Sequence, residues 1–274
     1  MGNEVVLSAR MRALTDMVTV GNRVCDVGCD HGFVSIYLVQ QGISPRVLAM
    51  DVRQGPLSRA QEHIRQQGLE AYIETRLSDG VTALEIGEAD TVICAGMGGR
   101  LMRRILEEGR EKLEAMRELI LQPQSEVSAF REYLRQAGYV TLAENMVYED
   151  GKYYPVMKVA AGKRRTKDQR TGKPGRGSGP AADALNDADL QEKSEGLAVD
   201  GVDSMTLQDC FGGMLLAERH PVLKQYLLYE QQCSQLILEE LKKNAAGGDR
   251  TRQRIRELEE EQRLICLALE QYRL

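Results

Sequence analysis

The chain has 274 residues, 42% hydrophobic and 28% charged, with a formal net charge of −5. That length and composition suit a globular protein with a real core, read as one large unit and a smaller one. The acidic balance excludes general affinity for nucleic acid, so any such binding must come from local basic patches. No apolar run of about 18 residues is present to cross a membrane. The start, MGNEVVLSARMRAL, lacks the blocks of a secretory signal. Six cysteines fall without a paired framework, and Cys25 and Cys94 sit in apolar runs, which fits reduced thiols in a cytoplasmic protein.

In chain order, strands are expected at 23–27 (RVCDV), 46–51, 73–78, 90–96 and 118–123, with helices over 33–41, 56–68, 100–116 and 125–137. Short aliphatic runs ending in Gly, Asp or Pro and alternating with helices predict a parallel sheet with right-handed crossovers. In VTLAENMVYEDGKYYPVMKVA, Asp150-Gly151 stands between two strand-like runs, a hairpin signal. The expected fold class is α/β, a doubly wound and mostly parallel sheet that ends in an antiparallel hairpin.

Residues 162–204 change character. GKRRTKDQRTGKPGRGSG is rich in Gly, Lys and Arg, and the remainder is small and acidic, so a disordered linker insertion is expected. Its basic half could touch phosphates, or its two halves neutralise each other. From 205 the chain reads as helical. One helix candidate runs HPVLKQYLLYEQQCSQLILEELKKN and a second DRTRQRIRELEEEQRLICLALEQYRL. Ile255, Leu258, Gln262, Ile265, Leu269 and Tyr272 are spaced as a heptad seam. Asn244 to Gly248 form the break, and Asp249 is the expected N-cap of the second helix. Three segments follow: 1–161, the linker 162–204, and an antiparallel helical hairpin at 205–274.

The stretch CDVGCDHGF, Cys25 to Phe33, is a glycine-rich turn after an apolar strand. A nicotinamide-binding turn has a second glycine where the backbone meets a pyrophosphate. Here the residues after Gly28 are Cys29, Asp30, His31 and Gly32, so Asp30 stands in that place and would repel a pyrophosphate. A carboxylate there suits a cofactor with an ammonium tail and no phosphate, which S-adenosylmethionine has. Asp51, followed by Val52, ends the next strand and can accept from ribose hydroxyls. Ser78, Asp79 and Gly80 end the third and offer partners for an adenine ring. Asp26 or Asp51 taken singly could instead be a cap or a turn residue. Cys29 and His31 lack a second ligand pair, so no metal is expected. The fourth strand ends in Ala95, Gly96, Met97, Gly98 and Gly99, either a roomy shelf for a planar base or a tight turn that needs glycine.

These segments together resemble a known family. LSARM, CDVGCDHGF, AMDVRQGPLSRAQ, RLSDG, ICAGMGGRLM, LILQPQ and EDGKYYPVMKV are similar in order to the bacterial tRNA (adenine-N1)-methyltransferases that modify adenine 22. LQDCFGGMLLAERHPVLKQYL and the helical hairpin extend the resemblance to the C-terminus, and the 162–204 insertion departs from it. The resemblance implies a seven-stranded class I methyltransferase sheet. It also implies S-adenosylmethionine as donor, and a coiled-coil-like C-terminal part that helps hold tRNA.

The chemistry agrees. N1 of neutral adenine already carries a lone pair, so catalysis is mainly placement in line with the carbon–sulfur bond. The product is cationic, and Asp30 or the backbone at Gly96–Met97 could stabilise the developing charge. The base must leave its pair to expose N1. Gln122 and Pro123, at the next strand end, either contact that base or merely close the strand. At the hairpin tip, Lys242 and Lys243 suit a helix C-terminus. Arg250, Arg252, Arg254 and Arg256 crowd a helix start, where the dipole disfavours them, with Arg256–Glu260 an expected offset. A phosphate grip or a solvated charged tip both account for them. The competing functions are methyl transfer to another RNA or a protein, a non-catalytic RNA-binding protein, and an NAD-dependent oxidoreductase. A monomer is expected, although the hairpin could instead pair between chains.

Overall fold

The computed structural model describes residues 4–162, 201–243 and 248–273. Most of the insertion expected at 162–204, its basic half included, lies outside the described residues, as does most of the break at 244–248.

The first half alternates as its sequence pattern demands. Helix α1 (Ala9–Thr15) leads into β1 (Val24–Val27), α2 (Phe33–Gln40), β2 (Val47–Asp51), α3 (Gln54–Gln67) and β3 (Ile73–Leu77). Next come β4 (Thr91–Met97), α4 (Gly99–Glu108), α5 (Arg110–Leu113), β5 (Glu118–Pro123) and α6 (Val127–Ala137). The helix expected over 100–116 is thus two helices, parted at Gly109. Strands β6 (Tyr139–Glu149) and β7 (Lys152–Ala161) close the sheet, joined through Asp150 and Gly151, both at positive φ as a two-residue hairpin turn requires.

Seven strands pair in the order β3-β2-β1-β4-β5-β7-β6, with β7 antiparallel to both neighbours. β1 lies between β2 and β4, Val24 level with Val47 and Thr91. Its residues and those of β2 are buried throughout, as central parallel strands covered on both faces must be. One face packs Leu48, Met50, Met102, Leu106, Leu119 and Leu121; the other packs Leu14, Val24, Ile36, Ile64, Ile93 and Ile120.

Among the described residues that follow are the helices α7 (Gly201–Phe211), α8 (Gly213–Ala217), α9 (Pro221–Lys243) and α10 (Asp249–Glu270). Residues 201–204, expected in the linker, are the first turn of α7. The α9–α10 pair packs as an antiparallel hairpin, burying Leu258 and Ile265 of the expected seam together with Leu264 and Ala268. Gln262 fits that seam by donating to the Gln231 carbonyl at 2.8 Å and to Ser234 Oγ at 2.6 Å. Asp249 is the first helical residue, not the cap; Gly248 holds the N-cap position with no side-chain bond.

A third cluster, with Leu207, Phe211, Leu223, Leu227 and Ile265, seats these helices on Met146 of β6. Beside it a buried ion pair fastens sheet to helices. Arg131 Nε of α6 donates to Glu144 Oε1 of β6 at 2.9 Å, with side chains 8% and 2% exposed. The same guanidinium reaches the Cys210 carbonyl at 3.2 Å, and Glu144 Oε2 accepts from Met214 N–H at 3.1 Å.

Candidate functional site

In an open α/β sheet, ligands bind beyond the carboxyl ends of the strands, where the strand order switches direction. That point lies between β1 and β4. Asp26 is buried in β1 and accepts from Ser35 Oγ of α2 at 2.7 Å. Burial pushes its carboxyl up to about 6, which the Ser35 bond partly opposes and nearby Asp51 reinforces. At Gly28 the chain turns with φ +76°, and a Cβ there would meet Met97 Cε at 2.4 Å, so glycine serves both the turn and the approach of β4. The Gly28 and Cys29 N–H groups both donate to the Met50 carbonyl of β2.

Asp51 is buried at the end of β2, accepting from Arg53 N–H at 2.8 Å and Asp30 N–H at 3.3 Å. A carboxylate offers about four acceptor sites, so it retains capacity for two hydroxyls. Val52 beside it is 58% exposed, an apolar side chain open to a flat ring. Ser78 is buried and already engaged, donating to the Gly80 carbonyl and accepting from Ala83 N–H. Asp79 is exposed and accepts from Arg104 at 3.0 Å.

Asp30 adopts φ +47° and turns toward the β2 side, 3.5 Å from Arg59 of α3 and 3.6 Å from His31. Gly32 packs against Ala60, and His63 Nδ1 lies 2.9 Å from the His31 carbonyl. The rings of His31, Phe33 and His63 stack at 4.9–5.7 Å, forming a wall at the glycine turn. Arg59 and His63 were missed as neighbours of this turn, because α3 meets it only through folding, and the ring of Phe33, which follows the turn directly, was not singled out.

On the other side of the switch point, β4 bulges at Gly96 between Ala95, level with Gln122, and Met97, level with Pro123. Gly96 has φ +75°, and a Cβ there would find only Gln124 Nε2, at 3.8 Å. The shelf is open there and not at its two neighbours. A Cβ on Gly98 would meet Ser125 Oγ at 2.9 Å and one on Gly99 the Ser125 carbonyl at 2.8 Å. Those two glycines admit the 124–126 loop instead of a base. The Met97 carbonyl already accepts from Gln124 N–H at 2.9 Å, which commits it to the loop. Gln122 is wholly buried, its Nε2 donating to the Arg10 carbonyl at 3.2 Å.

The hairpin tip stands apart from this edge. Lys242 pairs with Glu259 at 2.7 Å, Arg254 with Glu257 at 3.3 Å and Arg252 with Asp249 at 3.7 Å. Glu260, the expected partner of Arg256, pairs with Arg263 at 2.7 Å. The exposed cluster of Lys242, Lys243, Arg250, Arg252, Arg254 and Arg256 is thus partly neutralised by its own helices.

Known proteins resemble this chain in sequence and fold. A family profile described as a methyltransferase domain matches residues 7–157. The tRNA (adenine(22)-N(1))-methyltransferase of Bacillus subtilis is 30% identical over 263 residues, spanning 96% of this chain and 97% of that one. A crystal structure of the Bacillus subtilis tRNA methyltransferase superposes with TM-score 0.76 at 27% identity, covering 97% of this chain and 99% of that one. A Streptococcus pneumoniae structure, described as a candidate tRNA methyltransferase in complex with S-adenosyl-L-methionine, gives 0.72 at 28% identity, covering 96% and 100%. With an acidic switch-point edge and matches along nearly its whole length, the chain belongs to the tRNA (adenine(22)-N(1))-methyltransferase family.

Proposed function

We propose that the protein transfers a methyl group from S-adenosylmethionine to N1 of an adenine in tRNA, adenine 22 by its family. The observation that carries this reading is the buried Asp26 at the switch point, level with Ile93 of β4, the strand whose end bulges open at Gly96. An isolated buried carboxylate is disfavoured in its charged form, and an ammonium beside it restores that form. Asp26, with Gly28, Asp30, His31 and Gly32 around it, receives the donor's amino-acid tail. Asp51 takes the ribose hydroxyls, and Val52 with Ser78–Gly80 borders the adenine. When bound, the donor supplies an electrophilic methyl group. The opening at Ala95–Gly96 then lets a flat base approach in line, and this positioning is the main catalytic contribution.

Residues 1–161 form the donor-binding unit in this reading and the helices from 205 the RNA-holding one, with the hairpin tip touching phosphates. The working form is a cytoplasmic monomer, which suits the free buried thiols of Cys25, Cys29 and Cys94. The test incubates the protein with methyl-labelled S-adenosylmethionine and unmodified bulk tRNA, then identifies the labelled nucleoside. Label in 1-methyladenosine, lost in Asp26→Ala, is expected. Donor binding without labelled RNA would move the acceptor to another RNA or a protein, and no donor binding would end the methyltransferase reading.

A further inference from the structure

Among the described residues, four buried side-chain polar atoms have no hydrogen-bond partner, and two of them belong to residues that touch: Arg10 Nη1 and Gln122 Oε1. Such atoms are costly unless something else satisfies them. The amide of Gln122 cannot be turned round, because the Arg10 carbonyl only accepts and must face the amide's NH₂ group. Oε1 is therefore a fixed, unpaired acceptor, on the residue level with Ala95 beside the Gly96 opening. Arg10 is fixed as well. Its Nε lies 3.4 Å from Glu149 Oε2 at the end of β6, and its guanidinium sits 5.2 Å from the centre of the Tyr154 ring. Nη1 is left as an unpaired donor.

We infer that Arg10 and Gln122 read the Hoogsteen edge of the target adenine, a statement that rests on the functional reading above. That edge presents N7 as acceptor and the N6 amino group as donor. Nη1 of Arg10 donates to N7, and Oε1 of Gln122 accepts from N6–H. The same pair would fit the Watson–Crick edge, but that would cover N1, the atom to be methylated. Hoogsteen reading leaves N1 free. It also rejects guanine, whose O6 would set one acceptor against another at Gln122. As the methyl–sulfur bond breaks and the N1–methyl bond forms, the ring becomes a cation and N6–H a stronger donor. The Gln122 bond therefore tightens in the transition state. Glu149 offsets the Arg10 charge against that cation.

The test compares a ligated tRNA carrying 7-deazaadenosine at the methylated position with its adenosine counterpart. Wild-type kcat/KM is expected to fall about 10- to 100-fold on the 7-deaza RNA, as for loss of a hydrogen bond to a charged group. Arg10→Met should show a similar loss on adenosine and no further loss on 7-deazaadenosine, with S-adenosylmethionine affinity unchanged. Gln122→Met should lower kcat more than it raises KM. Equal wild-type rates on the two RNAs, or the same 7-deaza penalty in Arg10→Met, would overturn the inference while leaving methyl transfer to tRNA intact. Failure to methylate either RNA would overturn the functional reading, and this one with it. If Arg10→Met fails to bind the donor, the wild-type comparison alone decides.

Discussion

The strand edge and the hairpin tip are the two charged regions with a claim on ligands, and they are built differently. At the edge, Asp26 and Asp51 are buried, and each is oriented by bonds to Ser35, Arg53 and Asp30 before any ligand arrives. At the tip, Lys242, Arg252 and Arg254 are exposed and paired with Glu259, Asp249 and Glu257 on the same helices. Buried, oriented charges act strongly on one partner of fixed shape. Exposed pairs contribute little, are screened by salt and exchange partners readily. The edge can therefore select a donor, whereas the tip can only add a general attraction for phosphate.

The largest expected effect breaks the joint between the two regions. Glu144→Gln leaves Arg131 charged and buried without its counterion, and should destabilise the protein by about 3–5 kcal/mol. Urea unfolding checks this, and an unchanged midpoint would show that the C-terminal helices dock independently of the pair. Next, Asp26→Asn should weaken donor affinity roughly 100-fold while raising stability at pH 7. Asp26 has its carboxyl raised from 3.8 to about 6, so between those values the unfolded chain has released the proton and the folded one has not. Stability therefore falls as pH rises through that window, by about 3 kcal/mol at most for a two-unit shift. The Asn variant lacks this loss, so its change in stability from pH 4 to pH 7, read from melting curves, should be more positive than that of wild type by up to about 3 kcal/mol.

A smaller effect is expected of Gly28→Ala. Positive φ costs a non-glycine residue about 1–2 kcal/mol, and the new methyl must displace the Met97 tip. Calorimetry should find donor affinity reduced up to about tenfold. The smallest belongs to the tip. Arg252→Glu with Arg254→Glu should weaken tRNA binding several-fold, leaving donor affinity and molecular mass unchanged. Its salt dependence should flatten by about one unit of slope for each phosphate that the arginines no longer neutralise. An altered mass would instead make the hairpin an interface between copies.

What was legible in the sequence follows the same division. The edge is written locally: a strand, its terminal aspartate and the glycine turn are consecutive, so Asp26, Gly28 and Asp51 could be placed before any fold was known. Gly98 and Gly99 were legible as glycines but not as packing residues, because the Ser125 loop that fills their space belongs to another crossover. Asp30 looked like a neighbour of the methyl-transfer point. Its left-handed backbone and its contact with Arg59, 29 positions away, could not be read from the turn itself. Arg10 stands within the LSARM segment, but nothing there points to Gln122, since the contact between the two spans 112 residues and exists only after α1 docks on β5. Asp249 was misplaced by one residue because Gly248 serves at the cap without a side chain.

The central claim is that a buried carboxylate at the switch point holds a cationic donor tail, and donor affinity as a function of pH tests it most directly. Titration calorimetry of wild type and Asp26→Asn with S-adenosylmethionine from pH 5 to pH 7 keeps the donor's amino group protonated throughout. Wild-type affinity should fall as pH drops through about 6, where Asp26 takes up its proton, and the variant should be weak and flat across the range. Equal affinities for the two proteins, with no inflection near 6, would contradict the account.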